Sequence, residues 1–212
     1  MAAQFGPPLV LRGKVAILGK SKVGKTAFRE VLGDGSFPRS YNVTLGRENT
    51  VKVVPFPDRN IQVELHLQEC GGNIAGATDT QTNTVAHSQT VDSVCKGTSC
   101  FVLMYDVSDP DSLRELHQFL PSIDKAVEGQ IPCCICLVAN KNDSSTCRRV
   151  SEEDQSDFMR NRPDLQLIPF GISAMDNSGL ADVCDHLALH IAQTYEQRLG
   201  ELRSYVEQSY AY

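Results

Sequence analysis

Short apolar runs alternate along the chain with longer segments in which apolar residues recur at helical spacing. Residues 100–105 and 135–139 are apolar at nearly every position, as in strands that a sheet buries on both faces. Residues 113–120 and 180–195 carry apolar side chains at every third or fourth position, which predicts amphipathic helices. Strands that alternate with helices predict a mainly parallel sheet with helices on both sides.

An early hairpin adds an antiparallel strand to this pattern. Residues 50–54 and 61–67 alternate apolar and polar side chains around a turn sequence, PDRN, at residues 57–60. Residues 165–170 form a further strand, and Pro169 within it predicts a position at the edge of the sheet. The sequence therefore predicts an α/β fold with a doubly wound, mainly parallel six-stranded sheet, one antiparallel hairpin strand and a long C-terminal helix.

A single domain with short extensions is the organisation that these patterns predict. We assign residues 1–12 to an N-terminal tail, 13–195 to the domain and 196–212 to a C-terminal helical extension. Residues 75–98 are rich in Thr, Ser, Asn and Gln, which predicts a solvated insertion because little apolar surface is available to bury. Threonines at alternate positions within it leave a strand at a sheet edge as the alternative. The apolar stripe past residue 195 either packs on the domain or binds a partner.

Charge and composition exclude several classes of protein. The formal net charge of −6 argues against a nucleic-acid footprint and against a polybasic membrane attachment. No apolar run approaches the length that spans a bilayer. The C-terminus carries no cysteine after Cys184, and Ala2 takes the place of the glycine that is myristoylated. We therefore expect no direct membrane anchor.

The cysteine residues raise the question of disulfide bonds or a metal site. The N-terminal segment has no basic region and contains Pro7-Pro8, so it does not resemble a signal peptide, and the eight cysteines are expected to be reduced thiols. Cys133 and Cys136 have C-x-x-C spacing within a strand-like run. Residues three apart on a strand face opposite sides of the sheet and cannot bind one ion together. We interpret them as core cysteines.

Residues 19–26 read GKSKVGKT, between a strand-like run and a helix-like run. This is the G-x-x-x-x-G-K-[ST] pattern of a phosphate-binding loop, in which backbone N–H groups and a helix N-terminus surround a phosphate group. Gly19 and Gly24 allow a close backbone approach that a Cβ atom would block. Lys25 is expected to reach the β- and γ-phosphates of a nucleotide, and the Thr26 hydroxyl is expected to bind Mg²⁺.

Two further loops follow predicted strands, at the edge of the sheet where ligands of such folds bind. Residues 140–143 read NKND, and the carboxylate of Asp143 can accept two hydrogen bonds from the N1–H and 2-amino groups of guanine. Adenine lacks this pair of donors, so a buried carboxylate there discriminates strongly against it. Residues 173–175, SAM, follow the last strand and are placed to offer a backbone N–H to the guanine oxygen.

With these motifs the chain resembles the Ras superfamily of small GTPases from Gly13 to about Tyr195. The resemblance implies a P-loop G domain that binds GTP and GDP with Mg²⁺. Thr44 lies as far past Thr26 as the switch I threonine of that family does. By the resemblance, the Thr44 hydroxyl would join the Mg²⁺ shell and its backbone N–H would sense the γ-phosphate, so that loss of this phosphate would release the loop.

One segment departs from the family pattern. Members usually carry D-x-x-G-Q after the third strand, and this chain carries ECGGN at residues 69–73. Gly72 is retained, and its N–H is expected to bind the γ-phosphate. Glu69 replaces the aspartate that helps to hold Mg²⁺, and because Mg²⁺ demands octahedral geometry we expect binding to persist but to weaken. Asn73 replaces the glutamine that orients the attacking water and is one methylene shorter, so we expect slow intrinsic hydrolysis.

The resemblance assigns three sets of residues and makes residues 75–98 an expanded switch II. The nucleotide-binding set is Gly19, Lys20, Ser21, Lys22, Val23, Gly24, Lys25, Thr26, Ala27, Thr44, Gly72, Asn140, Lys141, Asp143, Ser173, Ala174 and Met175. The metal set is Thr26, Thr44 and Glu69. The catalytic set is Lys25, Thr44 and Asn73, the last at the altered water-positioning site.

Within the superfamily the chain resembles the Rab-like GTPase subunits of intraflagellar transport train B. The likeness rests on the prolines of VVPFPD at residues 53–58, the changes at residues 69–73, the missing lipidation site and the long C-terminal helix. It implies a heterodimer with a small β-sandwich subunit, contacts with other train B subunits, and a location in the cytoplasm, the cilium or flagellum and the basal body region. No nucleic acid is expected as a partner.

Two other functions stay open. A nucleotide-stabilised structural subunit that does not cycle fits the changes at Glu69 and Asn73. A GTP-binding switch is favoured by the residues that are intact, which are Lys25, Thr26, Thr44, Asn140 and Asp143. A vesicle-trafficking Rab protein is disfavoured by the missing C-terminal cysteine.

Overall fold

A computed structural model describes residues 6–38, 47–71, 89–128, 133–143 and 147–209 of the chain. The strands are β1 (Leu9–Leu18), β2 (Arg47–Phe56), β3 (Ile61–Cys70), β4 (Cys100–Asp106), β5 (Cys134–Asn140) and β6 (Ile168–Gly171). The helices are α1 (Lys25–Asp34), α2 (89–95), α3 (Pro110–Arg114), α4 (Leu120–Val127), α5 (Glu152–Arg160) and α6 (Leu180–Ser209). Short 3₁₀ turns cover Pro57–Arg59, Glu115–Phe119 and Pro163–Leu165.

The six strands form one sheet in the order β2-β3-β1-β4-β5-β6. β2 and β3 pair antiparallel as the predicted hairpin, and the other neighbouring strands pair in parallel. β6 lies at an edge of the sheet, as Pro169 predicts, because an edge strand can lack one backbone donor. The predicted doubly wound, mainly parallel six-stranded fold with a long C-terminal helix is confirmed.

The sheet separates two layers of buried apolar side chains. One layer lies between the sheet and helices α1 and α6, and the other lies between the sheet and helices α2 to α5. β4 and β5 are buried along their whole length, since both of their faces are covered. This packing fixes the strand ends, from which the loops of the site extend. None of the helices in the described part of the chain combines the length and the apolar character needed to cross a membrane.

Three details differ from the sequence-based expectations. β1 begins at Leu9 and pairs with β3 from there, so residues 9–12 belong to the sheet and not to a tail. The solvated insertion expected over residues 75–98 is wrong for its last part, because residues 89–95 form α2 and bury Val91, Val94 and Cys95. These apolar residues share one helical face, which the average composition of the segment hides. β6 spans Ile168–Gly171 and not residues 165–170, because Pro163–Leu165 form a 3₁₀ turn that includes the first residue of the predicted strand.

Candidate functional site

The loops predicted to form the site meet at the carboxyl ends of the parallel strands. Residues 19–24 follow β1, Glu69 lies near the end of β3, residues 141–143 follow β5, and residues 173–175 follow β6. Thr44, Gly72, Asn73 and the first part of the segment 75–98 lie outside the described residues. The described part of the site therefore consists of the phosphate loop, the metal side around Glu69 and the base-binding loops.

The phosphate loop has the close backbone approaches that its glycines predict. Gly24 has φ 101°, and a Cβ atom there would lie 2.2 Å from Nδ2 of Asn140. Gly19 has φ 155°, and a Cβ atom there would lie 2.3 Å from the backbone oxygen of Met104. Lys22 also has positive φ, at 68°. The loop therefore places Gly19 and Gly24 where a side chain would not fit, as the phosphate-loop pattern predicts.

Lys25 lies at the centre of this loop and is only 4% exposed. Its Nζ atom donates to the backbone oxygens of Gly19 and Lys20, each at 2.9 Å. Burial lowers the pKa of Lys25, and the charge of Glu69 acts in the opposite direction. A phosphate oxygen would supply the negative charge that a buried ammonium group lacks here. The position of Lys25 therefore fits its predicted role.

The other residues of the phosphate loop take different positions. Val23 is buried and Ala27 is 8% exposed, so both contribute to packing. The side chain of Lys20 extends to two acidic residues, with Nζ 3.2 Å from Asp109 and 3.0 Å from Glu115. The hydrogen bond to Glu115 is the main cause of the raised pKa of Lys20, and the contact with Asp109 adds to it. Lys20 can therefore serve a nucleotide only through its backbone while these ion pairs persist.

Thr26 and Glu69 form the metal side of the site. The Thr26 hydroxyl donates to Oε1 of Glu69 at 2.8 Å, and Glu69 is only 2% exposed. Donation to the carboxylate leaves the hydroxyl lone pairs for a cation, and hydroxyl and carboxylate oxygens are ligands that Mg²⁺ prefers. The donor set therefore fits Mg²⁺, with Thr26 and Glu69 as the described residues that would hold it.

Arg29 is the functional neighbour that the sequence did not predict. It lies on α1 one turn after Thr26, is 7% exposed, and places Nε 3.4 Å from Oε2 of Glu69. Its guanidinium also donates to the Thr50 hydroxyl at 2.6 Å and forms an ion pair with Glu48. A cation thus occupies one side of the carboxylate that would face Mg²⁺. The only sequence signal is an arginine on the inward face of an amphipathic helix.

Asn140 joins the phosphate loop to the base-binding loops. Its Nδ2 atom donates to the backbone oxygen of Val23 at 2.8 Å. Its Oδ1 atom accepts from the backbone N–H of Ala174 at 3.2 Å. Asn140 is 1% exposed, so both contacts are shielded from water. One buried amide therefore fixes the spacing between the phosphate side and the base side.

Asp143 and Lys141 are each held by a second residue. The Ser173 hydroxyl donates to Oδ1 of Asp143 at 2.6 Å, which orients the carboxylate predicted to bind guanine. Lys141, at φ 65°, places Nζ 2.6 Å from Oδ2 of Asp106. Burial alone would raise the pKa of Asp106, but the hydrogen bonds from Lys141 and Ser108 outweigh burial and lower it.

Three residues of the loop after β6 are predicted to lie at the site, and two of them are buried there. Ser173 and Ala174 are buried at 0% and 3% exposure, and each makes one of the contacts described above. Met175 is 65% exposed, so its side chain turns toward solvent. The predicted contact of residues 173–175 with guanine is through a backbone N–H, and for Met175 it stays a prediction.

Comparison with known proteins agrees with this geometry. The model of the Ras family matches residues 14–193. The chain is 28% identical to the intraflagellar transport protein 27 homolog of Trypanosoma brucei brucei, over 91% of this chain and 96% of that protein. It is 26% identical to the intraflagellar transport protein 27 homolog of Homo sapiens, over 92% of this chain and 97% of that protein. It is 27% identical to the Ras-related protein RabC of Dictyostelium discoideum, over 85% of this chain and 84% of that protein. Ras-family GTPases bind GTP and GDP, typically with Mg²⁺, and this chain belongs to the Ras family.

Proposed function

We propose that the chain is a GTP-binding, Rab-like GTPase with weak intrinsic hydrolysis that works as a subunit of intraflagellar transport train B. The observation that carries nucleotide binding is the double contact of Asn140, to Val23 on the phosphate side and to Ala174 on the base side. The Ser173 hydroxyl bond to Asp143 adds a fixed acceptor for guanine. A frame held by buried contacts at both ends is preorganised for one ligand class.

Guanine specificity is tested by Asp143→Asn, with Asp185→Asn as a matched control on the exposed surface of α6. An asparagine presents a donor where guanine presents one, and each hydrogen bond to a charged group contributes about 1.5–3 kcal/mol. The affinity for GDP should therefore fall by roughly 100-fold or more, and the control should match the wild type. Equal GDP affinity in Asp143→Asn would contradict the assignment of the base site.

Weak hydrolysis is supported by one contact on the metal side and by one departure from the family pattern on the water side. Arg29 is 3.4 Å from the Glu69 carboxylate and offsets part of the charge that would attract Mg²⁺. Asn73 is shorter than the glutamine of the family pattern, and in-line attack depends on positioning. A single-turnover assay with radiolabelled GTP should show slow cleavage that Asn73→Gln accelerates. Fast cleavage in the wild type, with no gain in the variant, would contradict this proposal.

A second candidate is a nucleotide-stabilised structural subunit that does not cycle. The same contact between Arg29 and Glu69 favours it. If Mg²⁺ binds weakly, the nucleotide stays bound without depending on Mg²⁺ or on the switch loops. The nucleotide content of the purified chain, measured with and without EDTA, separates the two functions. A cycling GTPase should lose GDP when Mg²⁺ is removed and then take up added GTP. A structural subunit should retain its nucleotide under the same treatment.

The transport role is supported by the names of the relatives from Trypanosoma and Homo sapiens and by an exposed apolar patch. Val51 and Val53 on the edge strand β2 are 47% and 45% exposed and face the same side of the hairpin. Exposed β-branched residues on an edge strand are suited to a protein partner. We propose that this patch contributes to a heterodimer with a small β-sandwich subunit and other train B subunits, in the cytoplasm, at the basal body and in the cilium or flagellum.

The partner is identified by recovering the tagged chain from ciliated cells and determining its stoichiometric companion by mass spectrometry. A small β-sandwich subunit should be recovered with the wild type and lost when Val51 and Val53 are both replaced by Glu. Leu189→Glu, which places one glutamate on an exposed apolar residue of α6, serves as the control. Recovery of a prenyl-binding carrier would favour a vesicle-trafficking Rab protein and contradict the transport role.

A further inference from the structure

Two thiols and an imidazole converge at the end of the sheet opposite the nucleotide site. Cys134 and Cys136 are two residues apart on β5, so their side chains share a face of the sheet. Their Sγ atoms are 3.7 Å apart. Cys134 and Cys136 are six and four residues before Asn140, which places their backbones roughly 20 and 13 Å from the base-binding loop at the rise of a strand. The cluster is therefore separate from the GTPase site.

His186 of α6 completes the cluster from the facing layer. One of its ring nitrogens and the two Sγ atoms all lie within 4.8 Å of one another. Its ring packs against Phe170 of β6 with centroids 5.5 Å apart, which restrains the imidazole over the sheet. Among the residues that the structure describes, these are the only three His, Cys, Asp or Glu side chains whose ligand atoms converge in this way.

The spacing of these atoms matches a tetrahedral metal site. Two sulfur ligands at a Zn–S distance of about 2.3 Å lie about 3.8 Å apart when the angle at the metal is tetrahedral. The observed Sγ separation is 3.7 Å. Thiolate and imidazole ligands together select Zn²⁺ over Mg²⁺ and Ca²⁺, which prefer oxygen. We propose that Cys134, Cys136 and His186 bind one zinc ion, which links β5 to α6.

The charge balance of such a site permits burial. Cys134 and Cys136 are 4% and 0% exposed, and an isolated ion is costly at such positions. Two thiolates carry a total charge of −2, and Zn²⁺ with neutral His186 brings the sum to zero. Each thiol gives up one proton as its S–H bond is replaced by an S–Zn bond, so binding releases two protons and involves no change of oxidation state.

A fourth ligand can reach the ion from a cavity beside the cluster. The cavity has a volume of about 190 Å³ and is lined by Cys134, His186, His190 and Gln193 among other residues. This volume is ample for a water molecule, which needs only about 10–15 Å³ of such space. His190 lies one helical turn after His186, on the same side of α6. The cavity can therefore supply a water molecule or a second imidazole.

The simpler interpretation is a weak S–H···S contact between Cys134 and Cys136, beside a third buried thiol, Cys100, which also hydrogen-bonds to Cys134. That contact explains the sulfur spacing but does not require an imidazole at the same point. Cys133 illustrates the difference, because its Sγ atom faces the other layer and contacts the backbone oxygen of Ser99 at 3.0 Å. Cys133 and Cys136 thus face opposite sides, as the sequence predicts. The pair that shares a face is Cys134 and Cys136.

The test is zinc binding by the full chain in the presence of GDP and excess Mg²⁺. Zn²⁺ is added to chelator-treated protein, free metal is removed by desalting, and elemental analysis measures the zinc retained. We expect one zinc per chain, a rise in melting temperature, and release of two protons per zinc in weakly buffered solution. Co²⁺ in place of Zn²⁺ should give the absorption of a thiolate-to-cobalt charge transfer.

Three variants complete the design. Cys136→Ser and His186→Gln each remove one ligand, and each should weaken the zinc affinity by more than the roughly 10–100-fold that loss of an outer-shell partner costs. Cys95→Ser, which changes a buried thiol of α2 in the other layer, is the matched control and should bind zinc as the wild type does. Circular dichroism verifies that each variant is folded, and this check is independent of the GTPase proposal. Absence of bound zinc in the wild type, or equal zinc affinity in the control and both ligand variants, would overturn the proposal.

Discussion

The contact between Arg29 and Glu69 leads to a prediction with two opposite effects. Arg29→Met removes the guanidinium but keeps a long side chain on α1. Glu69 is 2% exposed, and its Oε2 atom is 3.4 Å from Nε of Arg29. Breaking a buried ion pair by removing one partner costs about 3–5 kcal/mol, because a buried charge is left without compensation. Without Mg²⁺ and in excess GDP, the variant should therefore melt roughly 6–20 °C below the wild type.

Mg²⁺ should restore much of this loss. At 3.4 Å and an effective dielectric constant of about 20, the attraction between the two charges is roughly 5 kcal/mol before desolvation is considered. If a quarter or more of that energy opposes Mg²⁺ in the wild type, removing Arg29 should tighten Mg²⁺ binding by about tenfold or more, since 1.4 kcal/mol corresponds to tenfold. Melting temperatures of GDP-loaded protein across a MgCl₂ titration give this affinity.

The control for this experiment is Glu48→Gln, which removes a different partner of Arg29. The Glu48 side chain is 43% exposed, so its ion pair should contribute about 0–1 kcal/mol and its loss should not change Mg²⁺ affinity. If Arg29→Met binds Mg²⁺ no more tightly than the wild type and Glu48→Gln do, Arg29 does not compete with the metal. The account of weak Mg²⁺ binding would then be refuted.

Three further predictions concern the frame of the site. Ser173→Ala removes the hydroxyl that donates to Asp143. Because such a bond contributes about 1.5–3 kcal/mol, GDP release measured by stopped flow should accelerate by roughly tenfold or more. An unchanged release rate would show that other contacts orient the carboxylate. Gly24→Ala should abolish nucleotide retention in equilibrium binding, because its Cβ atom would lie 2.2 Å from Nδ2 of Asn140; retained binding would mean that the loop relaxes. Asp106 has its pKa lowered below the ordinary 3.8, so its ion pair stabilises the fold above that pH and the stabilisation is lost as the pH falls through the lower value. Urea unfolding of Asp106→Asn should therefore show a shallower loss of stability below about pH 4, whereas the same acid dependence as the wild type would exclude this ion pair as a cause.

The two ends of the sheet carry different chemistry. The carboxyl ends of the strands hold oxygen donors, ammonium groups and backbone N–H groups around residues 19–26 and 140–143. The opposite end of β5 holds two thiols under α6. A zinc ion there would stabilise the position of the start of the long C-terminal helix, while the nucleotide would stabilise the loops at the other end. The two proposals can therefore be tested on the same protein preparation without interference.

The sequence by itself determined the fold class and the local motifs. GKSKVGKT at residues 19–26 and NKND at residues 140–143 act through consecutive residues, so their spacing along the chain carries the chemistry directly. The periodicity of apolar residues likewise reveals strands and helices, because burial repeats with the geometry of each element. Within the part of the chain that the structure describes, composition misled the prediction at residues 89–95, where the position of a few apolar residues outweighed the polar average.

Tertiary structure alone decided the contacts between distant residues. Arg29 and Glu69 are 40 positions apart, and Asn140 and Val23 are 117 positions apart. Cys136 and His186 lie on different elements and meet only because α6 packs across that face of the sheet. Such contacts depend on strand register and on the rotation of a helix over the sheet, which the linear pattern does not encode residue by residue. For this reason the motifs could be predicted from the sequence, whereas the cation beside Glu69 and the thiol–imidazole cluster could not.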